Sequence, residues 1–427
     1  MELIDIDLDR IIDALLLCAM GFVSFLIFKE KQDKRLNTAM TFSTFWVALS
    51  LYVIDEVCVN MGFWSYADGR LPFHLLFVWI VIWGVVVVFF SKGKFALMIS
   101  LALFMADLAF MPQLAKMGVF TLSSNWLLGE VLVVGLVALP ALIWANSYYE
   151  NKNLAYRNFM QVLSFGLVIF YFLPLIFSSY FYVPFMKSRD FNIQYFLFII
   201  SVAIPLSLPG LLAVLALKGK GRGTPYPLDV TSRLVRNGIY AYVNNPIQIS
   251  AFLVLVAMSV FFQHWVFLLT AVGSLIYSFG FAKFIEHDRM GQRFGQSFHN
   301  YQKEVRPWIT HWRPKGIANA TIYFKLHCTY CQALRSWLER KNTFRLTFIH
   351  AEDFAGERLT ELTYVDEDGN RYGGVRALGH GLGHVHLLWA WAGWILCMPG
   401  IAHLLQLIID WMDLDCEELC EIPTHSP

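Results

Sequence analysis

The chain has 427 residues, of which 57% are hydrophobic and only 15% charged, with mean hydropathy +0.52 and formal net charge +1. A soluble domain carries about a quarter charged residues, so these numbers exclude a water-soluble globule of this size. The near-zero balance also offers no basic surface for nucleic acid.

The apolar residues gather in runs of about 17–25, the length that crosses a bilayer as helix. Nine spans are predicted, at 11–28, 38–57, 73–90, 95–111, 126–145, 159–183, 195–217, 247–262 and 265–285. The first follows the acidic start MELIDIDLDR, which lacks the basic leader and the small-residue cleavage site of a secretory signal. Thirteen Lys and Arg fall in the loops of one side, among them Lys34, Lys92, Lys152, Lys220 and Arg236. Five fall on the other, Arg10, Arg70, Lys116, Lys187 and Arg189. Positive loops stay inside, which predicts an amino terminus outside and a cytoplasmic segment after residue 285. Seven cysteines (18, 58, 328, 331, 397, 416 and 420) form no secreted disulfide framework; the last five lie on the cytoplasmic side, where thiols are normally reduced. The fold expected is mainly α: a polytopic helical bundle of about nine spans with a small cytoplasmic α/β domain. Its blocks are a six-span domain at 1–190, a three-span core at 191–314, and the α/β domain at 319–427.

In the first block, Asp55 and Glu56 end the second span, followed by Gly62-Phe63-Trp64-Ser65-Tyr66 and Pro72-Phe73-His74. This spacing resembles the membrane domains of carotenoid (lycopene) cyclases and implies an isoprenoid-sized cavity. In those domains acids follow the proline; Phe73 and His74 stand here, which argues against proton-driven cyclisation. Asp107 and Glu130 lie within spans, where a carboxylate is costly and marks either a function or a pairing with Asn, Trp or Tyr inside the bundle.

The second block holds two polar islands separated by one apolar hairpin, at 219–250 and 286–308. In the first, Asp229 or Thr231 is predicted to cap a short helix to Arg236 that stops at Asn237-Gly238. Asn245 and Pro246 suit the cap and first residue of the next span, and glycines 219, 221 and 223 permit close backbone approach to a ligand. In the second island, Phe294, Phe298, Tyr301 and Val305 have the spacing of an amphipathic helix along the membrane surface. A ligand bearing an ammonium, a carboxylate and a sulfonium would find Glu286 for the cation and Arg306 or Arg236 for the carboxylate. Tyr240, Tyr242 or Trp308 would stack on its adenine or face the sulfonium. The plainer roles are an ion pair of Glu286 with Arg289 or Lys283, lipid phosphates on Arg306, and an ordinary aromatic belt.

Gly223-Thr224-Pro225, Leu234-Val235, Gly238-Ile239-Tyr240, Asn245-Pro246, Glu286, Phe294-Gly295, Tyr301 and Val305-Arg306-Pro307-Trp308 resemble the membrane methyltransferases that include isoprenylcysteine carboxyl methyltransferase and phospholipid N-methyltransferase. The resemblance covers about 215–308. It implies an S-adenosyl-L-methionine-dependent transfer onto a lipophilic, isoprenoid or lipid acceptor that arrives from the membrane. It implies cofactor contacts at Gly223, Thr224, Pro225, Gly238, Tyr240, Asn245, Pro246, Gln248, Glu286 and Arg306. Glu286 and Arg306 would serve catalysis, with His287 available as a base at neutral pH. Two departures stand out: Asn244-Asn245-Pro246 where many members have Arg-His-Pro or Arg-Asn-Pro, and Glu286-His287 where many have two glutamates.

In the third block a strand at 321–326, Cys328-x-x-Cys331, a helix through Arg340 and a strand at 345–349 give a thioredoxin-like arrangement, with Cys328 at a helix amino terminus where the dipole favours thiolate. With Tyr372-Gly373-Gly374-Val375-Arg376-Ala377 and a Trp-rich tail, the segment resembles the DCC family of thiol-disulfide oxidoreductases. It lacks Asp-Gly before the first Cys and a proline between Pro314 and Pro399. The alternative function is therefore a membrane-tethered thiol-disulfide oxidoreductase using Cys328 and Cys331. A zinc set from His327, His380, His384, His386 and the cysteines is weighed against by the glycines among them, and no metal is assigned. Residues 386–411, interrupted by Pro399-Gly400, are predicted as two helices packed on the domain or lying on the bilayer.

Overall fold

The computed structural model describes residues 33–67, 69, 71–92, 94–185, 189–226, 231–282, 290–326, 328–354 and 359–411. The first predicted span, Glu286, His287, His327, Cys416 and Cys420 lie outside these residues. The chain is mainly helical with two small sheets, and it divides into two compact units, Met1–Phe177 and Ser178–Pro427.

The first unit contains α1 (Lys34–Asn60), β1 (Trp64–Ser65), α2 (Leu75–Ser91), α3 (Ala96–Lys116), β2 (Thr121–Leu122), α4 (Trp126–Tyr149) and most of α5 (Leu154–Phe181). Asp33 starts α1, its carboxylate accepting from the free amides of Arg35 and Leu36 at 3.0 and 3.1 Å. β1 and β2 pair antiparallel, Trp64 opposite Leu122. This clasp explains the Gly-x-Trp-x-Tyr spacing: Trp64 Nε1 and Tyr66 Oη both donate to Asp55 Oδ1, at 2.9 and 2.7 Å. Gly129 lets the clasp close on α4, since a Cβ there would meet the Trp64 ring at 2.3 Å. Asp55, Asp107 and Glu130 line one void of about 20 Å³, too small for an isoprenoid, so this void is not the large cavity implied by the cyclase resemblance.

The second unit opens with α6 (Asp190–Gly221), α7 (Pro246–Phe262), α8 (Trp265–Gly280) and α9 (Gln296–Glu304). Widened π-type turns at Val134–Ala138, Val168–Phe172 and Ile199–Ala203 each run into a helix with proline at its second residue: Pro140, Pro174 and Pro205. A proline ring has no N–H and presses on the carbonyl four residues back, and a wider turn relieves both.

Among the described residues five helices, α1, α3, α4, α5 and α6, are long and apolar enough to cross a membrane, which marks a multi-pass membrane protein. Of the nine predicted spans, the first lies outside the described residues, five coincide with these helices, and the other three coincide with α2, α7 and α8, which are shorter apolar helices. The α7–α8 hairpin is tight because Gln263 ends α7 in the left-handed conformation (φ 51°) and His264 caps α8, Nδ1 accepting from Val266 N.

The predicted helix ending at Arg236 does not form among the described residues. Residues 231–237 are irregular, and a 3-10 turn, Gly238–Ala241, follows Gly238 at φ 65°. Asn237 keeps Oδ1 for the amide of Ala318 instead of stopping a helix. The amphipathic helix of the second island is present but broken at Gly295 (φ 51°), and α9 buries Phe298 and Tyr301, with Val305 just beyond, against Leu234.

The remaining chain forms β3 (Ala320–Phe324), α10 (Thr329–Arg340), β4 (Leu346–His350), β5 (Thr363–Val365), β6 (Arg371–Gly373), α11 (Gly374–Leu382), α12 (Leu387–Leu396) and α13 (Pro399–Trp411). The sheet order is β4-β3-β5-β6, with β3 parallel to β4 and antiparallel to β5. α12 and the tail helix meet at an 80° bend at Pro399-Gly400. These elements share a core with the preceding ones: Ala213 of α6, Val235, Ile239, Tyr242 and Ile317 bury together with Ala390 and Trp394 of α12.

Candidate functional site: the seam between the two polar islands

The two islands are joined by main-chain hydrogen bonds. Asn244 N donates to Arg306 O at 3.0 Å and Asn245 N to Pro307 O at 3.2 Å. A third tie comes from a side chain: Tyr301 Oη, buried in α9, donates to Tyr240 O at 2.8 Å. Beyond Pro307 the chain stays pinned to the same loop, His311 N donating to Tyr242 O and Lys315 N to Ala241 O. Leu234, Tyr240 and the first turn of α7 therefore face α9 and the 305–308 segment across a single seam.

At this seam Asn245 sits at the cap of α7 and Pro246 at its first residue, although the Asn245 side chain makes no cap hydrogen bond. Asn245 and Gln248 are half-buried, Tyr240 is buried and Arg306 is exposed. The Arg306 main chain is fixed on both sides, its N donating to His311 Nε2 at 3.1 Å and its O accepting from Asn244. His311 is held below its ordinary pKa by burial and by the neighbouring Arg306 and Lys315 charges. It therefore stays a neutral acceptor for that amide.

Other predicted positions lie elsewhere. Gly223, Thr224 and Pro225 form the turn that closes α6, with Gly223 N donating to Leu217 O. The small size of Gly221 and Gly223 is used by the loop itself: a Cβ on Gly223 would stand 2.7 Å from Thr231 Cα. Thr224 is buried, its Oγ1 accepting from Tyr226 N. Tyr242, a candidate for stacking on adenine, is instead sealed in the core; Oη donates to Gly383 O at 3.0 Å and its ring meets Trp394 edge-on. Trp308 packs on Phe279. Arg236 is engaged by Glu367 at 3.2 Å, whereas Arg306 lies at the seam with Lys315 near by.

Sequence reading missed the acidic turn between β5 and β6. Asp366, Glu367 and Asp368 pair in turn with Lys220 (3.6 Å), Arg236 (3.2 Å) and Arg233 (3.0 Å), so three cations of the first island are clamped by three consecutive acids. Burial pushes the Asp366 carboxyl up, but hydrogen bonds from Asn370 and the Lys220 charge outweigh it and hold the group below its usual range. The signal was present as complementary charge in two distant polar loops, though charge alone names no pairing.

Cys328 caps α10, its Sγ accepting from Cys331 N at 3.3 Å. Cys328 is disulfide-bonded, so the expectation of reduced thiols fails at that residue. Among the described residues no group of His, Cys, Asp and Glu has the arrangement of a metal site.

Helices of membrane-crossing length, with a polar seam between two loops, define a multi-pass membrane protein with a candidate site beside its spans. Residues 212–297 match the family model of phospholipid methyltransferase, about a fifth of the chain, and this match supports a methyltransferase. No curated protein and no solved structure matches the chain.

Proposed function

We propose that the protein is an integral membrane methyltransferase that uses S-adenosyl-L-methionine and acts on a lipophilic acceptor, a lipid or an isoprenoid. The observation that carries this reading is the seam: Asn244 and Asn245 are bonded to Arg306 and Pro307, beside the segment that matches the methyltransferase family. The residues suit such a cofactor. Arg306 offers a cation on a main chain held at both N and O, a preorganised partner for a carboxylate. Tyr240, Asn245, Pro246 and Gln248 line the adjacent turn, Gly238 precedes it, and Gly223, Thr224 and Pro225 shape the loop behind. Glu286 is assigned to the cofactor ammonium and His287 to proton removal where the acceptor is a hydroxyl, amine or carbon. When bound, the cofactor supplies an electrophilic methyl on a sulfonium. What the chain contributes is position, since an in-line displacement is accelerated mostly by alignment and exclusion of water. The Lys and Arg count assigns the seam and the 319–427 domain to the cytoplasmic side and the amino terminus to the outside.

Titration calorimetry of the detergent-solubilised full chain with S-adenosyl-L-methionine tests this reading. Binding is expected in the parent and lost in Arg306→Ala and Glu286→Ala; absence of binding in the parent refutes it. Labelled cofactor incubated with a lipid extract then identifies the acceptor by which species gains the methyl group.

A second reading, a thioredoxin-like thiol-disulfide oxidoreductase in residues 319–427, is favoured by the β4-β3-β5-β6 order and by Cys328 at the amino terminus of α10. It requires Cys328→Ser to abolish an activity that Arg306→Ala leaves intact.

A further inference from the structure

The methyltransferase reading gives no role to Tyr372, Arg376, His380 or His384. Together with the end of α6 they enclose a cavity of about 310 Å³ within the second unit, at the lower end of the range for small-molecule sites. Part of its wall is apolar: Leu212, Leu215 and Ala216 of α6, with Trp394 of α12 and Met398 just beyond it. Leu215 is 46% exposed on a helix of membrane-crossing length, which brings this part to the flank of a span.

Another part of the wall is cationic. Lys220 and Arg376 both line it, and both act electrostatically on the same two groups, His380 and Cys397. Lys220 is balanced by Asp366 at 3.6 Å. Arg376 has no acidic partner among the described residues. The His380 ring lies against the rings of Tyr372 and Tyr364 (centroids 4.2 and 5.2 Å apart) and makes no hydrogen bond among the described residues. Burial, with the Lys220 charge, pushes it down to about 3, so it faces the cavity as a neutral ring with one donor and one acceptor. An unmatched guanidinium and a free imidazole in the wall of a half-enclosed apolar space select an anion joined to a hydrocarbon.

We propose that this cavity, whose wall includes Gly238, is a second binding site beside the seam at Asn245 and Arg306, for a single-chain amphiphile with a phosphate or carboxylate head. Its alkyl or prenyl chain lies along Leu212, Leu215, Trp394 and Met398, and its head is held by Arg376 with Lys220 and His380. The site does not depend on methyl transfer.

The test uses the full chain in phosphatidylcholine nanodiscs and an alkyl phosphate carrying a diazirine at the chain end. Photolysis is expected to label peptides containing Leu212–Ala216 or Trp394–Met398, and unlabelled dodecyl phosphate is expected to suppress that labelling. Arg376→Gln, at an exposed position and expected to leave the melting temperature unchanged, is expected to weaken labelling by about tenfold, the effect of one charge-assisted hydrogen bond. Ala216→Phe, which fills the apolar part, is expected to abolish it. Labelling elsewhere, or labelling here that dodecyl phosphate does not suppress, overturns the proposal. Equal suppression by dodecanol removes the anionic head from it, and equal suppression by inorganic phosphate removes the chain; either result also overturns it.

Discussion

Acid should weaken the second unit through one histidine. His384 is 1% exposed. Its Nδ1 lies 2.7 Å from Phe344 O, which only accepts, so Nδ1 carries the proton and Nε2 accepts from Tyr364 Oη at 2.9 Å. Both nitrogens are satisfied in the neutral form, and burial lowers the pKa from 6.5 to about 4. The unfolded chain takes up this proton as pH falls through about 6.5, while the folded chain resists until about 4. Between those values the unfolded state binds more protons, so stability rises with pH and is lost on acidification. The full gap is worth about 3 kcal/mol, of which about 2 kcal/mol is lost by about pH 5. For a unit of this size that is a fall of about 4–8 °C in Tm. The assay is thermal unfolding in detergent from pH 7.5 to pH 4.5, comparing the parent with His384→Phe. The variant starts less stable but should show a shallower decline, and the difference in slope reports chiefly on His384 because burial, the largest cause of the low His380 pKa of about 3, is kept in the variant. Parallel slopes would refute the argument.

Three further outcomes follow from named contacts. Tyr301→Phe removes the buried donor to Tyr240 O; it should cost about 1–2 kcal/mol in thermal unfolding and weaken S-adenosyl-L-methionine binding in calorimetry. Asp366→Ala removes a carboxylate whose side chain is 1% exposed and should cost about 3 kcal/mol. Asp368→Ala, at an ion pair 37–46% exposed, should cost less than about 1 kcal/mol in the same assay. Gly223→Ala, with Thr231 Cα 2.7 Å from the new methyl, should lower stability by about 1–3 kcal/mol, while Gly219→Ala, with nothing within 4 Å, should be close to neutral.

Legibility followed the range of the interaction. Apolar runs declare helices locally, so α1, α3, α4, α5 and α6 were readable from hydropathy alone, as was the α9 face through Phe298, Tyr301 and Val305. The cap at Asn245-Pro246 was equally local. Residues 231–237 misled because cap-forming side chains found distant partners: Asn237 satisfies Ala318 N, across 81 positions, and Arg236 meets Glu367. Tyr242 misled for the same reason, since an interfacial tyrosine and a core tyrosine look alike until Gly383 and Trp394 are placed. The Asp55 pairing with Trp64 and Tyr66 was open to view as spacing, but only the β1–β2 clasp gives it geometry.

The shared burial of Tyr242, Ile239 and Ile317 with Trp394 bears on modularity. A chain truncated before β3 would strip the acceptor from the Tyr242 hydroxyl and bare the underside of the very turn that carries Tyr240. The two halves of this unit are thus poor candidates for separate expression. Through that shared core they are expected to melt together. By linkage, whatever tightens the appended half, including a ligand beside Arg376, raises the unfolding temperature of the loop that carries Asn245.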